Sequence, residues 1–86
     1  MKPKYTVEII PKAEKEFLKL QGELRNRIRK RILALEENPR PFGSKKLRDT
    51  DYYRFRVGDF RVVYSVYDKE KIVKVLSIAN RKEVYR

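Results

Sequence analysis

The chain has no cysteine, no histidine and no tryptophan among its 86 residues, and only one methionine. Without cysteine there is no disulfide staple and no thiolate-held zinc, so apolar packing alone must hold the fold. Without histidine the usual proton carrier near neutral pH is missing, so any catalysis must use Tyr, Lys, Arg, Glu or Asp, or electrostatic stabilisation. No cofactor and no metal is expected. Long apolar runs are also lacking. Nothing approaches the ~20 residues of a membrane span, and the start, Met1-Lys-Pro-Lys-Tyr-Thr6, has no apolar signal region. These features predict a soluble cytoplasmic protein with no membrane partner. Hydrophobic residues make up 41% of the chain, enough for one small domain spanning 1–86.

Positive charge is what the chain has in excess. Lys and Arg number 23 against 12 Asp and Glu, a formal net charge of +11. A thermophile's ion-pair surface would raise both signs together. A one-sided excess creates a field that attracts polyanions and gains from counterion release. Nucleic acid ranks above a membrane surface as the partner, because no helix combines a wide apolar face with interfacial aromatics.

Residue spacing divides the chain into recognisable pieces. Tyr5 to Ile10 reads as a strand ending at Pro11, a residue suited to the first turn of a helix. Ala13, Phe17 and Leu20 then form a helical stripe, interrupted at Gln21-Gly22. A second helix is predicted from Glu23 to Asn38, with Leu24, Ile28, Ile32 and Leu35 inward and Arg25, Arg27, Arg29 and Lys30 on its other face. Asn38-Pro39 ends it, since a residue before proline avoids the helical region. So short a break between two helices predicts an antiparallel helical hairpin.

After the loop at Pro39–Ser44 the period changes to two. Tyr53, Phe55 and Val57 alternate with Arg54 and Arg56, Gly58-Asp59 makes a tight turn, and Phe60, Val62, Tyr64 and Val66 continue the alternation. Asp68–Lys71 is a second turn, and Ile72–Ile78 is more evenly apolar, as befits a strand inside the sheet. The predicted class is α+β: an N-terminal strand, the helical hairpin, then an antiparallel strand meander, with both helices on one face of the sheet. Tyr52, Tyr64 and Tyr67 are expected to be packing residues, and the basic helix face a solvated one.

The alternation carries the chemistry. If Phe55 and its neighbours face the helices, Arg54, Arg56 and Arg61 project together from the opposite face. Like charges gathered on a sheet repel, so folding alone does not favour them there, and a bound anion would relieve the cost. The basic tail adds Arg81, Lys82, Tyr85 and Arg86. Arginine forks suit phosphate oxygens, and a tyrosine suits a base or a reacting hydroxyl.

The segment Tyr53-Arg-Phe-Arg-Val-Gly-Asp-Phe-Arg-Val-Val-Tyr64, followed by the strand to Ile78 and by Asn80-Arg-Lys-Glu-Val-Tyr85, resembles the RelE branch of the RelE/ParE toxin superfamily. The likeness extends over essentially the whole chain. It implies a toxin of a toxin–antitoxin pair that enters the ribosomal A site and cuts the messenger there, held in check by a cognate RelB-like antitoxin. By motif position it implies that Arg54 and Arg56 hold the messenger backbone, with Lys82 and Arg86 as further RNA contacts. It likewise implies catalytic roles for Arg61 and Arg81 in stabilising transition-state charge, and for Tyr85 in stacking or proton removal. The family's tail often reads Gly-His-Arg or Gly-Lys-Arg, whereas this one reads Ala79-Asn80-Arg81. A histidine base, where relatives use one, is therefore vacant. Tyr85 is a poor base at its free pKa of about 10, although neighbouring arginines favour its ionised form. Glu83 stays open as another candidate. Three rival readings accompany this one: a ParE-like gyrase inhibitor, a non-enzymatic basic ribosome-binding module, and a toxin that has lost catalysis but keeps its antitoxin.

Overall fold

The computed structural model describes residues 4–80. In chain order it contains β1 (Thr6–Ile9), α1 (Pro11–Leu18), α2 (Gly22–Ala34), β2 (Lys45–Lys46), β3 (Tyr52–Val57), β4 (Phe60–Tyr67) and β5 (Ile72–Asn80). The five strands form one sheet in the order β1-β5-β4-β3-β2. Strands β2 to β5 pair antiparallel. The expected strand, helical pair and meander are therefore all present, with α1 over β5 and α2 over β3.

Three features differ from the sequence reading. First, β1 pairs parallel to β5, Thr6 opposite Ile72 and Ile9 opposite Val75, so the sheet is mixed at one edge. The two strands lie far apart in sequence, and local periodicity holds no information about their pairing. Second, Lys45-Lys46 forms a short edge strand rather than loop. Third, α2 stops at Ala34, short of Asn38. The chain there tightens into three-residue bonds, Leu35 N–H to Ile32 O at 3.1 Å and Glu36 N–H to Leu33 O at 3.0 Å. Tyr5 N–H donates to the Glu36 carbonyl at 2.9 Å, which satisfies one of the acceptors freed at the helix end.

The core joins the helix stripes to one face of the sheet. Ala13, Ile28, Ile32 and Leu35 pack against Phe55, Val57, Val62, Tyr64, Val73, Val75 and Ile78. Tyr53, Phe60 and Val66 pack at its margin, so the expected inward set is the observed one. Tyr64 is fully buried, and its hydroxyl donates to the Pro39 carbonyl at 2.8 Å. Burial pushes its pKa up, because the ionised phenol would be poorly solvated.

The β4–β5 ladder is irregular at one point. Val63 pairs with Ser77 but Tyr64 with Val75, so Leu76 is an extra residue in β5. The bulge switches the parity of the strand. Val73, Val75 and Ile78 all reach the core despite the uneven spacing, and Ser77 and Ala79 are turned to the outward face. Beyond Val75 strand β1 has ended, and the Ile78 N–H is received instead by Glu16 Oε1 of α1 at 2.8 Å.

A polar cluster ties the loops together at the far end of the sheet. Arg40 forks onto Asp68 at 3.1 and 2.7 Å, its Nε donates to the Tyr53 hydroxyl at 3.0 Å, and the Tyr5 hydroxyl donates to Asp68 at 2.7 Å. These donors, Arg40 foremost, hold the Asp68 carboxyl at about 2 against an ordinary 3.8. A carboxyl depressed in the folded state stabilises fully above its unfolded pKa, and that contribution fades as pH falls toward the folded value. The urea midpoint of the wild type is therefore expected to fall more steeply than that of Asp68→Asn between about pH 4 and about pH 2. Parallel slopes in that window would show that the cluster adds nothing to stability.

Candidate nucleic-acid interface

The β3–β4 hairpin closes tightly, with Val57 opposite Phe60 and only Gly58-Asp59 between them. Gly58 takes φ of 59°, which the first position of a type II′ turn requires and a side chain would strain. This closure fixes the register, and the register places the arginines. Arg56 and Arg61 stand directly opposite each other, one residue pair from the turn. Phe55 and Val62, both fully buried, anchor the same strands from below.

The outward face reads as rows across the sheet. One row runs Arg56, Arg61, Ala79, and the next runs Lys45, Arg54, Val63, Ser77. Arg56 is exposed, and Arg54 and Arg61 are half-buried. Among the described residues neither Arg56 nor Arg61 forms an ion pair. Guanidinium forks suit the paired oxygens of an anion such as a phosphodiester, and the facing Arg56 and Arg61 offer two of them without a carboxylate partner among the described residues. Ala79, a small residue, lies on the other side of Arg61. No group of three or more metal-ligating side chains occurs among the described residues.

All three hairpin arginines are thus brought to one face, as their alternation predicts. Arg81, Lys82, Tyr85 and Arg86 lie outside the described residues. Strand β5, however, ends at Asn80 opposite Phe60, beside the Arg56–Arg61 row. Sequence reasoning missed Lys45, whose place opposite Arg54 depends on a strand too short to show a period. It also expected Tyr52, Tyr64 and Tyr67 all to pack. Tyr64 does, but Tyr52 and Tyr67 are exposed. On the helix face Arg25 lies 5.3 Å from the Phe17 ring and Arg31 lies 4.6 Å from the Phe55 ring, so part of that basic surface covers the core. No described helix is long and apolar enough to cross a membrane.

A mixed sheet backed by two helices, with a cationic hairpin on its open face, is the architecture of a small toxin of the type II toxin–antitoxin class. The chain belongs to the RelE/ParE toxin superfamily: the family described as the ParE toxin of the type II toxin–antitoxin system parDE matches residues 7–85. Among its relatives it is most informatively compared with RelE. It is 31% identical to the mRNA interferase toxin RelE of Escherichia coli strain K12, over 94% of this chain and 90% of that one. The archaeal RelE–RelB complex from Pyrococcus horikoshii OT3 superposes with a TM-score of 0.82 at 36% identity, covering 91% of this chain and 96% of that chain. The isolated E. coli RelE toxin superposes at 0.79 with 32% identity, covering 94% and 90% respectively. These likenesses place the chain in the RelE branch.

Proposed function

We propose that this protein is the toxin of a toxin–antitoxin pair and acts as a ribosome-dependent, metal-independent endoribonuclease on messenger RNA in the A site. The observation that carries the reading is the Arg56–Arg61 pair, opposed on the outward face with no carboxylate partner among the described residues. The name of its E. coli relative, mRNA interferase toxin, points the same way. So do the RelB antitoxins found with RelE relatives, and a RelB-like antitoxin is the proposed inhibitor. The proposed setting is the cytoplasm, where ribosomes are found.

In the proposed reaction the 2′-oxygen of the message attacks the adjacent phosphorus and the bond to the 5′-oxygen breaks, leaving a 2′,3′-cyclic phosphate. The 2′-hydroxyl proton goes to a base, and the 5′-oxygen leaves with a proton. Arg61 and Arg81 offset charge on the non-bridging oxygens, Arg54 and Arg56 hold the backbone, and Lys82 and Arg86 extend the contact. The nucleophile is part of the substrate, so holding it in line supplies much of the acceleration. Fixed guanidinium charge replaces the metal that other nucleases use. Tyr85 is the proposed proton acceptor, with Glu83 as the alternative. Weak acid–base equipment fits an enzyme that relies on the ribosome to orient its substrate.

Primer extension on a defined message in stalled ribosomes tests this. Cuts confined to the A-site codon, absent when the same RNA is supplied naked, are the expected result. Folded, antitoxin-free protein that makes no cuts on compatible ribosomes would overturn it. The match to a ParE-described family favours a second reading, a gyrase inhibitor, in which case DNA supercoiling would be blocked instead.

A further inference from the structure

The outward face continues past the arginines into a patch that the proposed reaction leaves unused. Two residues before Arg54 on β3 stands Tyr52, with Ser65 of β4 opposite it and Lys74 of β5 on the far side of Ser65. Tyr67 comes two residues after Ser65 on the same face. Tyr52 and Tyr67 are 45% and 43% exposed, whereas Ser65 between them is only 5% exposed. The Ser65 hydroxyl has no hydrogen-bond partner among the described residues. Lys74 Nζ lies 5.4 Å from the centre of the Tyr67 ring.

Exposed tyrosines alone would mean little, because strands favour them. The hydroxyl is different. A buried polar group without a partner opposes folding, and such groups call for an explanation. Here it sits between two partly exposed tyrosines, with the Lys74 ammonium over the ring of one of them, and next to the row that contains Lys45 and Arg54. Aromatic faces interleaved with cations are the equipment that binds single-stranded nucleic acid, since every base has a face to stack.

We infer that Tyr52, Ser65, Tyr67 and Lys74 form a base-binding subsite for the message, separate from the point of cleavage. A base stacks on the tyrosine rings, the Ser65 hydroxyl pairs with the base edge, and Lys74 meets the backbone. Arg56 comes four positions after Tyr52 along the strand, about 13 Å. The bound base therefore belongs to a nucleotide farther along the strand than those flanking the cut, with Arg54 under the connecting backbone. Glu8 of β1 lies opposite Lys74, and Asp51 and Asp68, paired with Lys46 and Arg40, are the carboxylates at the other margin of the patch. The inference rests on the ribonuclease reading.

Single-turnover cleavage on programmed ribosomes tests it, with an abasic nucleotide placed in turn at each message position on both sides of the cut. For the wild type, one position beyond those flanking the cut is expected to slow cleavage roughly ten-fold when abasic, the scale of one lost stacking contact. Tyr52→Ala/Tyr67→Ala is expected to slow the intact message by a similar factor and to be indifferent to the base at that position. Tyr52→Phe/Tyr67→Phe, which keeps both ring faces, is expected to behave as wild type. Ser65→Ala is expected to keep or raise the thermal midpoint while losing discrimination among bases there.

Abasic and alanine effects that multiply independently, or no effect of either, would overturn the subsite. So would a double variant that cleaves normally but binds its antitoxin ten-fold more weakly, which would assign the patch to a protein partner. A wild type that cleaves no message would bring down the ribonuclease reading and the subsite with it. A wild type that cleaves without the coupling brings down the subsite alone. Thermal melts of each variant separate misfolding from lost contact, and if the alanine pair does not fold, Ser65→Ala decides: base discrimination kept at that position would overturn the subsite.

Discussion

Replacing Arg61 by alanine is expected to slow ribosome-dependent cleavage by roughly 10²–10³-fold, the scale of losing one preorganised donor to transition-state charge. The fold is expected to be as stable as before, or more so. Arg61 faces Arg56 across the hairpin, and like charges directly opposite each other destabilise a sheet. Removing one of them relieves that repulsion while removing the group proposed to bind the phosphate. Loss of activity with a kept or raised thermal midpoint is therefore the signature of a residue retained for function rather than for folding. Arg61→Lys keeps the charge but loses the planar fork, so its rate should lie between the two. Single-turnover primer extension beside thermal melts reads both quantities. A variant that cleaves like wild type would remove Arg61 from the mechanism, and one that melts markedly lower would make the arginine a structural residue.

Phe55→Ala is expected to have the largest effect on stability. The ring is fully buried at the middle of β3, tilted against Tyr64 at 6.0 Å, with the Arg31 guanidinium 4.6 Å from its centre. Truncating a buried phenylalanine costs about 3–5 kcal/mol, from lost transfer energy and the cavity left behind. For a domain of this size each kcal/mol lowers the melting temperature by about 4–8 °C. The expected fall is tens of degrees, which a protein of typical marginal stability would barely survive. Phe55→Leu, which keeps most of the volume, should cost far less. Because Phe55 lies between Arg54 and Arg56, the alanine variant should also lose cleavage at temperatures where it is still folded. Equal melting temperatures for the two variants would show that this part of the core collapses around the missing ring.

Much of the candidate site was legible because strand alternation is a local code. Arg54 and Arg56 flank Phe55, and Arg61 flanks Val62, so once the apolar residues are assigned to the core the arginines have one place to go. The Gly58-Asp59 turn adds the register that makes Arg56 and Arg61 opposite neighbours. The helix stripes were legible for the same reason at a different period. Lys45 was not, because two residues carry no periodicity. Neither was the end of α2, where Pro39 gives a limit but the Glu36 and Pro39 carbonyls are met by Tyr5 and Tyr64, residues distant in the chain.

The sequence by itself determined the element order, the face each hairpin residue takes, and the concentration of positive charge on a chain without histidine or cysteine. Those come from period, turn chemistry and composition, all of which act over a few residues. Only the tertiary structure decided that β1 lies parallel beside β5, that Arg40 and Asp68 meet, and that Ser65 is buried between exposed Tyr52 and Tyr67. It also decided the bulge at Leu76, which turns Ala79 outward beside Arg61 while keeping Ile78 in the core. Each of these brings together groups distant in the chain or shifts a strand's parity. The cause is the mutual packing of the sheet and its helices, which no local pattern records.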